Sequence, residues 1–347
     1  MDEIALLENL LNLYSASGQE AEAVTYLVEQ MRGLGFEARM DDAGNAVGAY
    51  GDGLEPIMLL GHIDTVPGFI PVRREGDQLW GRGAVDAKGP LACFVAAAAR
   101  ARENMHGRRV VVIGAVGEEA DSPGAQFVKQ HYRPALTFIG EPSGWEKITL
   151  GYKGSAWYTY TVQRSQAHSA AHAENACEAA VSYWNRLTAW ANAWNAPHPR
   201  VFEQVSPSLR HMDSQSDGFA EAATLHFNVR LPLGLEVADC TEALLGLLAE
   251  GAELTLGDGV PAYRGEKNSP PVRALLLAIR RAGGTPSFSL KSGTSDMNVV
   301  GPAWNTPIVA YGPGDSALDH TPDEHILVSE YVKAIEVLSA ALSNLAT

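Results

Sequence analysis

The chain has 347 residues, enough for about two domains, and its 46% hydrophobic and 19% charged content excludes a disordered chain. With 26 Lys and Arg against 41 Asp and Glu, the formal charge of −15 argues against nucleic acid and anionic membranes as partners. No apolar run approaches the roughly 20 residues of a membrane span, and the acidic start Met1-Asp2-Glu3-Ile4 lacks a signal-peptide layout, so the expected location is cytoplasmic.

Ile4, Leu7, Leu10, Leu11 and Tyr14 recur at helical spacing. A break at Ser17-Gly18 precedes a second helix over 20–34. Strand-like runs follow at 36–40, 46–50 and 57–60, the last apolar throughout, as for a strand buried on both faces. An Ala-rich helix is expected over 87–102, and further buried strands over 109–116 and 136–140. From about residue 153 the pattern changes: strand 155–163, helix 174–194, a strand within 201–211, strand 224–231, helix 236–249 and strand 252–256. That order is the split-βαβ or ferredoxin-like unit. Helix 272–282, strand 307–311 and helix 329–345 then restore the first character. The expected fold is therefore α/β: a domain of residues 1–152 plus 265–347, interrupted by an inserted α+β domain at 153–264. Cys93, Cys177 and Cys240 are scattered and odd in number, so they are expected as buried free thiols in a reducing compartment.

The chemistry-bearing residues sit where these apolar strands end. His62 and Asp64, in G-H-I-D-T-V-P, lie two apart and so face the same way, which lets Asp64 hold the second nitrogen of a metal-bound His62. Asp86, in G-R-G-A-V-D-A-K-G, directly precedes the Ala-rich helix and by itself reads as an N-cap. Glu118 and Glu119 follow the 109–116 strand; adjacent carboxylates there are costly unless a cation joins them, and otherwise form a solvated acidic turn. Glu141, in G-E-P, ends the next buried strand, and His320 lies in D-H-T-P-D-E-H near the C-terminus. Strand ends of an open α/β sheet gather along one edge, where ligands bind. Two histidines and three carboxylates there suit zinc or a similar ion, as pairs of terminal ligands around one bridge.

As an ordered set, G-H-I-D-T-V-P, G-R-G-A-V-D-A-K-G, G-E-E, G-E-P and D-H-T-P-D-E-H resemble the co-catalytic zinc hydrolases, among them acetylornithine deacetylase, succinyl-diaminopimelate desuccinylase, glutamate-type carboxypeptidases and aminoacylases. The resemblance covers the whole chain. It implies a three-layer αβα catalytic domain with a ferredoxin-like lid and dimerisation domain. It implies two divalent ions, zinc or cobalt, with His62 and Glu141 as terminal ligands of one, Glu119 and His320 of the other, and Asp86 as the bridge. Glu118 is the implied general base and Asp64 the orienting partner of His62. His168, in A-H-S-A, resembles the lid histidine that reaches a partner subunit's site in a homodimer and stabilises an oxyanion. Arg230, in N-V-R-L-P, resembles the arginine that holds a substrate carboxylate, and the run Ser292, Gly293, Thr294, Ser295 and Asp296 resembles the loop beside the substrate. Many relatives carry Asn-Val-Ile-Pro before the arginine strand, whereas this chain has Ser216-Asp217-Gly218-Phe219-Ala220.

The stretch from Gly140 to Gly154 looks closest to a branch acting in lysine and arginine biosynthesis. Those enzymes free lysine, with ornithine as a related product, from the C-terminal glutamate of an amino-group carrier protein. The alternatives are a deacetylase of N-acetylornithine or N-acetyllysine, a carboxypeptidase or dipeptidase, and a non-catalytic binding protein on the same fold. The last is disfavoured because Glu118 and every ligand position are retained.

Overall fold

The computed structural model describes residues 2–168 and 173–345. The chain forms two compact units, one of residues 1–151, 265–290 and 295–347, the other of 152–264 and 291–294. In chain order the elements used below are α1 (Glu3–Asn12), α2 (Ala21–Gly33), β1 (Glu37–Met40), β2 (Ala46–Tyr50), β3 (Ile57–His62), α3 (Lys88–Ala101), β4 (Val110–Ala115), α4 (Pro123–His131) and β5 (Leu136–Gly140). The second unit supplies β6 (Gly154–Ser165), α5 (Ala176–Asn195), β7 (Ser206–Ser216), β8 (Ala220–Leu231), α6 (Val237–Leu245) and β9 (Ala252–Val260). The first unit resumes with α7 (Pro270–Arg281), α8 (Asp296–Trp304), β10 (Ile308–Ala310) and α9 (Val328–Leu345).

The main sheet runs β1-β2-β4-β3-β5-β10 and continues into the strand Lys147–Tyr152. Strands β4, β3, β5 and β10 are parallel, and β2 joins β4 antiparallel. Every residue of β3, β4 and β5 is buried, as a sheet with helices on both faces requires. Helices α1, α3, α7 and α9 pack together, while α4 packs against α8, which gives the three-layer αβα arrangement. From β3 the chain crosses to β4 on one side, and from β4 to β5 on the other side of β3. The carboxyl end of β3 is thus a topological switch point, the place where open α/β sheets bind ligands.

Sequence chemistry explains why α3 starts so close to that edge. A side chain at Gly89 would place its Cβ 2.2 Å from the Ala84 carbonyl oxygen, so glycine is needed in the first turn. The Ala-rich remainder lets the helix lie against the sheet, with Leu91 to Ala98 buried throughout. Among the described residues no helix is long and apolar enough to cross a membrane.

The second unit has sheet order β7-β8-β6-β9 with antiparallel neighbours, the split-βαβ pattern. Its core is aromatic: Tyr160 stacks on Tyr183 of α5 at 4.1 Å between ring centroids, and Phe227 packs beside them.

Several elements depart from the sequence expectation. The strand expected within 201–211 lies at Ser206–Ser216, because its polar sequence on the sheet edge carries no apolar alternation. Helix α4 carries little sequence signal because it buries only Gly124, Ala125 and Val128, and α8 because it contains Gly301 and Pro302, both breaker signals. Cys93 and Cys240 are buried free thiols, but Cys177 is exposed on α5.

Phe94 of α3 is fully buried in the core of the first unit. Phe94→Ala should cost about 3–5 kcal/mol, read as a lower midpoint in urea unfolding; an unchanged midpoint would refute this account of the core.

Candidate metal centre

His62 is the last residue of β3 and is almost fully buried. Its Nδ1 lies 3.0 Å from the Asp64 main-chain oxygen and 3.4 Å from the Asp64 carboxylate, which fixes the ring and leaves Nε2 facing outward from the strand end. Asp64 does more than orient the histidine. One of its oxygens accepts the Glu118 N–H at 3.0 Å, and the other accepts the Glu119 N–H at 3.0 Å and the Ser17 hydroxyl at 2.7 Å. A single buried carboxylate therefore clamps the turn after β4 onto the end of β3. That turn opens at Gly117, whose φ of +73° favours glycine.

Asp86 does not act as a helix cap. The cap position of α3 is Ala87, and no side chain caps it. Instead one Asp86 oxygen lies 3.1 Å from His62 Nε2 and the other 2.9 Å from His320 Nε2. His320 Nε2 also lies 2.9 Å from Glu119, and Glu141 comes within 3.9 Å of His62 Nε2. His320 sits in the left-handed region at φ +61°, a strain of about 1–3 kcal/mol for a non-glycine residue. All five ligand positions expected from the sequence, with Glu118, thus converge at the carboxyl edge of β3, β4 and β5. The tightest groupings are His62 with Glu118 and Glu119, and Asp86 with Glu119 and His320, each with ligand atoms within 4.8 Å of one another.

The protonation pattern follows from this crowding. Burial alone would lower the His62 pKa, but hydrogen bonds to Asp64 and Asp86 and the charge of Glu118 raise it well above the ordinary value. Asp86 and Glu119 push His320 up to about 10. The Asp86 carboxyl is held below its usual range, since His320 and His62 outweigh its burial. Glu118 moves the opposite way: burial raises it, against the pull of His62, and Glu141, Asp296 and Glu119 add repulsion. A carboxylate raised in this way suits proton transfer near neutral pH.

The donor set fits divalent ions. The Asp86 carboxylate addresses both imidazoles from its two oxygens, and nitrogen and oxygen donors with Asp64 behind His62 are the kind that hold such ions. Four carboxylates so close together would be costly without positive charge between them.

Residues 58–344 match the model of peptidase family M20/M25/M40. The chain belongs to that family. It is accordingly a metal-dependent hydrolase. A relative from Deinococcus radiodurans named LysW-lysine hydrolase is 43% identical over 98% of this chain and 96% of its own length. A second, from Saccharolobus solfataricus and named LysW-lysine/LysW-ornithine hydrolase, is 28% identical over 98% of this chain and 95% of its own. Among solved structures, an M20 family metallo-carboxypeptidase from Sulfolobus solfataricus shares the fold at TM-score 0.81 and 17% identity, covering 100% of this chain and 99% of that one. A dinuclear metal-binding M20 peptidase from Bacillus subtilis matches at TM-score 0.74 and 14% identity over 99% and 97%.

The remaining expected site residues belong to the second unit of this M20 chain. Arg230 of β8 donates to the Thr294 hydroxyl at 3.2 Å, so these two are brought together, in the loop that also carries Ser292 and Gly293. His168 is exposed and lines a depression with Glu174, Asn175 and Glu221; Ser169 and Ala170 of its motif lie outside the described residues. The sequence assigns no role to Ser17, Arg82 or Glu324, although Arg82 and Glu324 lie inside the motifs, and it places Asp296 only as the end of the loop beside the substrate. Asp296 is buried at the start of α8, and burial pushes its carboxyl up to about 7 against the pull of His62.

Binding a divalent ion must displace the protons that the two imidazoles hold in the metal-free site. Because both pKa values are raised, protons compete with metal over a wide range: apparent affinity should keep rising with pH beyond the ordinary histidine range, at least toward the value of about 10 to which His320 is pushed. Calorimetric titration of metal into stripped protein across pH checks this, and an affinity that is flat above the ordinary histidine range would contradict it.

Proposed function

We propose that this M20-family enzyme hydrolyses the amide that joins lysine, and also ornithine, to the C-terminal glutamate of an amino-group carrier protein, using two zinc ions. The observation that carries this reading is near-full-length similarity to relatives named for hydrolysis of LysW-lysine, at 43% identity for the Deinococcus protein. With its expected ligands converging at one sheet edge, the chain retains what such chemistry needs.

In this proposal His62 and Glu141 would hold one ion, Glu119 and His320 the other, and Asp86 would serve both. When bound, the pair would lower the pKa of a water and polarise the scissile carbonyl. Glu118, crowded by carboxylates and buried, takes a proton from the attacking water and later delivers it to the leaving α-amine. Asp64 holds the Glu118-Glu119 turn in place through both backbone N–H groups. His168 stabilises the developing oxyanion, as a residue shared between subunits of a homodimer. Arg230, oriented by Thr294, holds the α-carboxylate of the departing amino acid.

Two experiments separate this reading from its neighbours. Glu118→Gln should leave the content of bound zinc unchanged, measured by atomic absorption, and lower kcat by about 10²–10⁴-fold; normal turnover would remove Glu118 from its role. Turnover should also be far faster on carrier protein bearing lysine at its C-terminal glutamate than on N-acetyllysine or N-acetylornithine. Preference for the free acyl amino acids would make the enzyme a small-molecule deacylase on the same site.

A further inference from the structure

Glu324 lies four residues beyond His320, is fully buried and is placed in none of the roles above. One of its carboxylate oxygens accepts three backbone N–H groups, from Gly83, Val85 and Asp86, each at 3.0 Å. The other accepts Arg82 Nη1 at 2.8 Å. Arg82 in turn donates to the carbonyls of Thr321 at 3.1 Å and Gly68 at 3.1 Å, and the Glu324 main-chain oxygen accepts the Gly81 N–H at 3.4 Å. The loop that presents Asp86 and the loop that presents His320 are therefore closed on each other by one anion and one cation.

This arrangement is more specific than ordinary loop packing. Three converging N–H groups form a concave anion site that only a charged acceptor satisfies well. They belong to the very backbone that aims the Asp86 carboxylate, whose two oxygens face His62 and His320. Without the Glu324 charge these N–H groups, two of them buried and the third part-buried, would lack their partner, and the loop would turn to satisfy them elsewhere. We propose that Glu324 is the positioning residue of the metal centre: it sets the register between Asp86 and His320, so that both ions are bound at once. This rests on the two-metal reading above and adds to it a residue that touches neither ion nor substrate.

The test is Glu324→Gln, which keeps size and an acceptor oxygen but removes the charge. Metal-stripped wild-type and variant are titrated with zinc by calorimetry and with cobalt by visible absorption, and thermal unfolding of each metal-free protein is recorded. The wild-type should bind two ions. The variant should bind them about 10–100-fold more weakly, with an altered cobalt spectrum, and excess metal should restore most of its kcat. A variant that binds both ions with unchanged affinity and spectrum, while its metal-free form merely melts earlier, would reduce Glu324 to a structural brace and overturn the inference. A wild-type that binds fewer than two ions would instead overturn the two-metal reading. Should Glu324→Gln not fold, Arg82→Lys is titrated in the same way; it breaks the guanidinium contacts but spares the three N–H bonds, so a smaller weakening in the same direction is expected, and unchanged affinity there overturns the inference.

Discussion

The concentration of negative charge at the end of β3 is the constraint from which the site follows. Asp86, Glu118, Glu119 and Glu141 converge there around the imidazoles of His62 and His320. Burial strengthens their mutual repulsion, and in the metal-free site the neighbouring carboxylates push the pKa of both histidines up, while burial and like charge push that of Glu118 up. Divalent cations between the carboxylates would relieve that repulsion. The same crowding raises the Glu118 carboxyl, which is the property the proposed proton transfer calls on.

The fold supports that concentration by holding loops, not only side chains. The buried carboxylate of Asp64 receives the two backbone N–H groups of the Glu118-Glu119 turn, and that of Glu324 receives three from the Asp86 loop. Each anchors a loop by its amide groups and leaves the acidic side chains of that loop free to face the centre. Parallel strands β3, β4 and β5 supply a common edge, and the diverging crossovers at β3 open the crevice.

Much of this was readable from sequence for a simple reason. A run of buried apolar residues ending in Gly-His, Gly-Glu-Glu or Gly-Glu-Pro reveals both the strand and the polar group at its end, so His62, Glu118, Glu119 and Glu141 could be placed without knowing what lies beside them. Asp86 was ambiguous, because a cap and a bridging ligand occupy the same place before a helix; only the direction of its side chain, toward His62 and His320, separates the two. The role of Glu324 was not legible at all. Three of its four partners are main-chain groups some 240 residues earlier in the chain, which leave no mark on residue identity. The edge strand β7 and helix α8 were hidden for a different reason, since exposure or internal Gly and Pro removed the hydrophobic pattern on which sequence reading depends.

The central claim is that Asp86 stands between two ions. Anomalous diffraction at the zinc edge from crystals of zinc-loaded protein tests it most directly. The account predicts two peaks, one on each side of the Asp86 carboxylate, the first against His62 and Glu141 and the second against His320 and Glu119. A single peak, or two peaks that do not share Asp86, would contradict it.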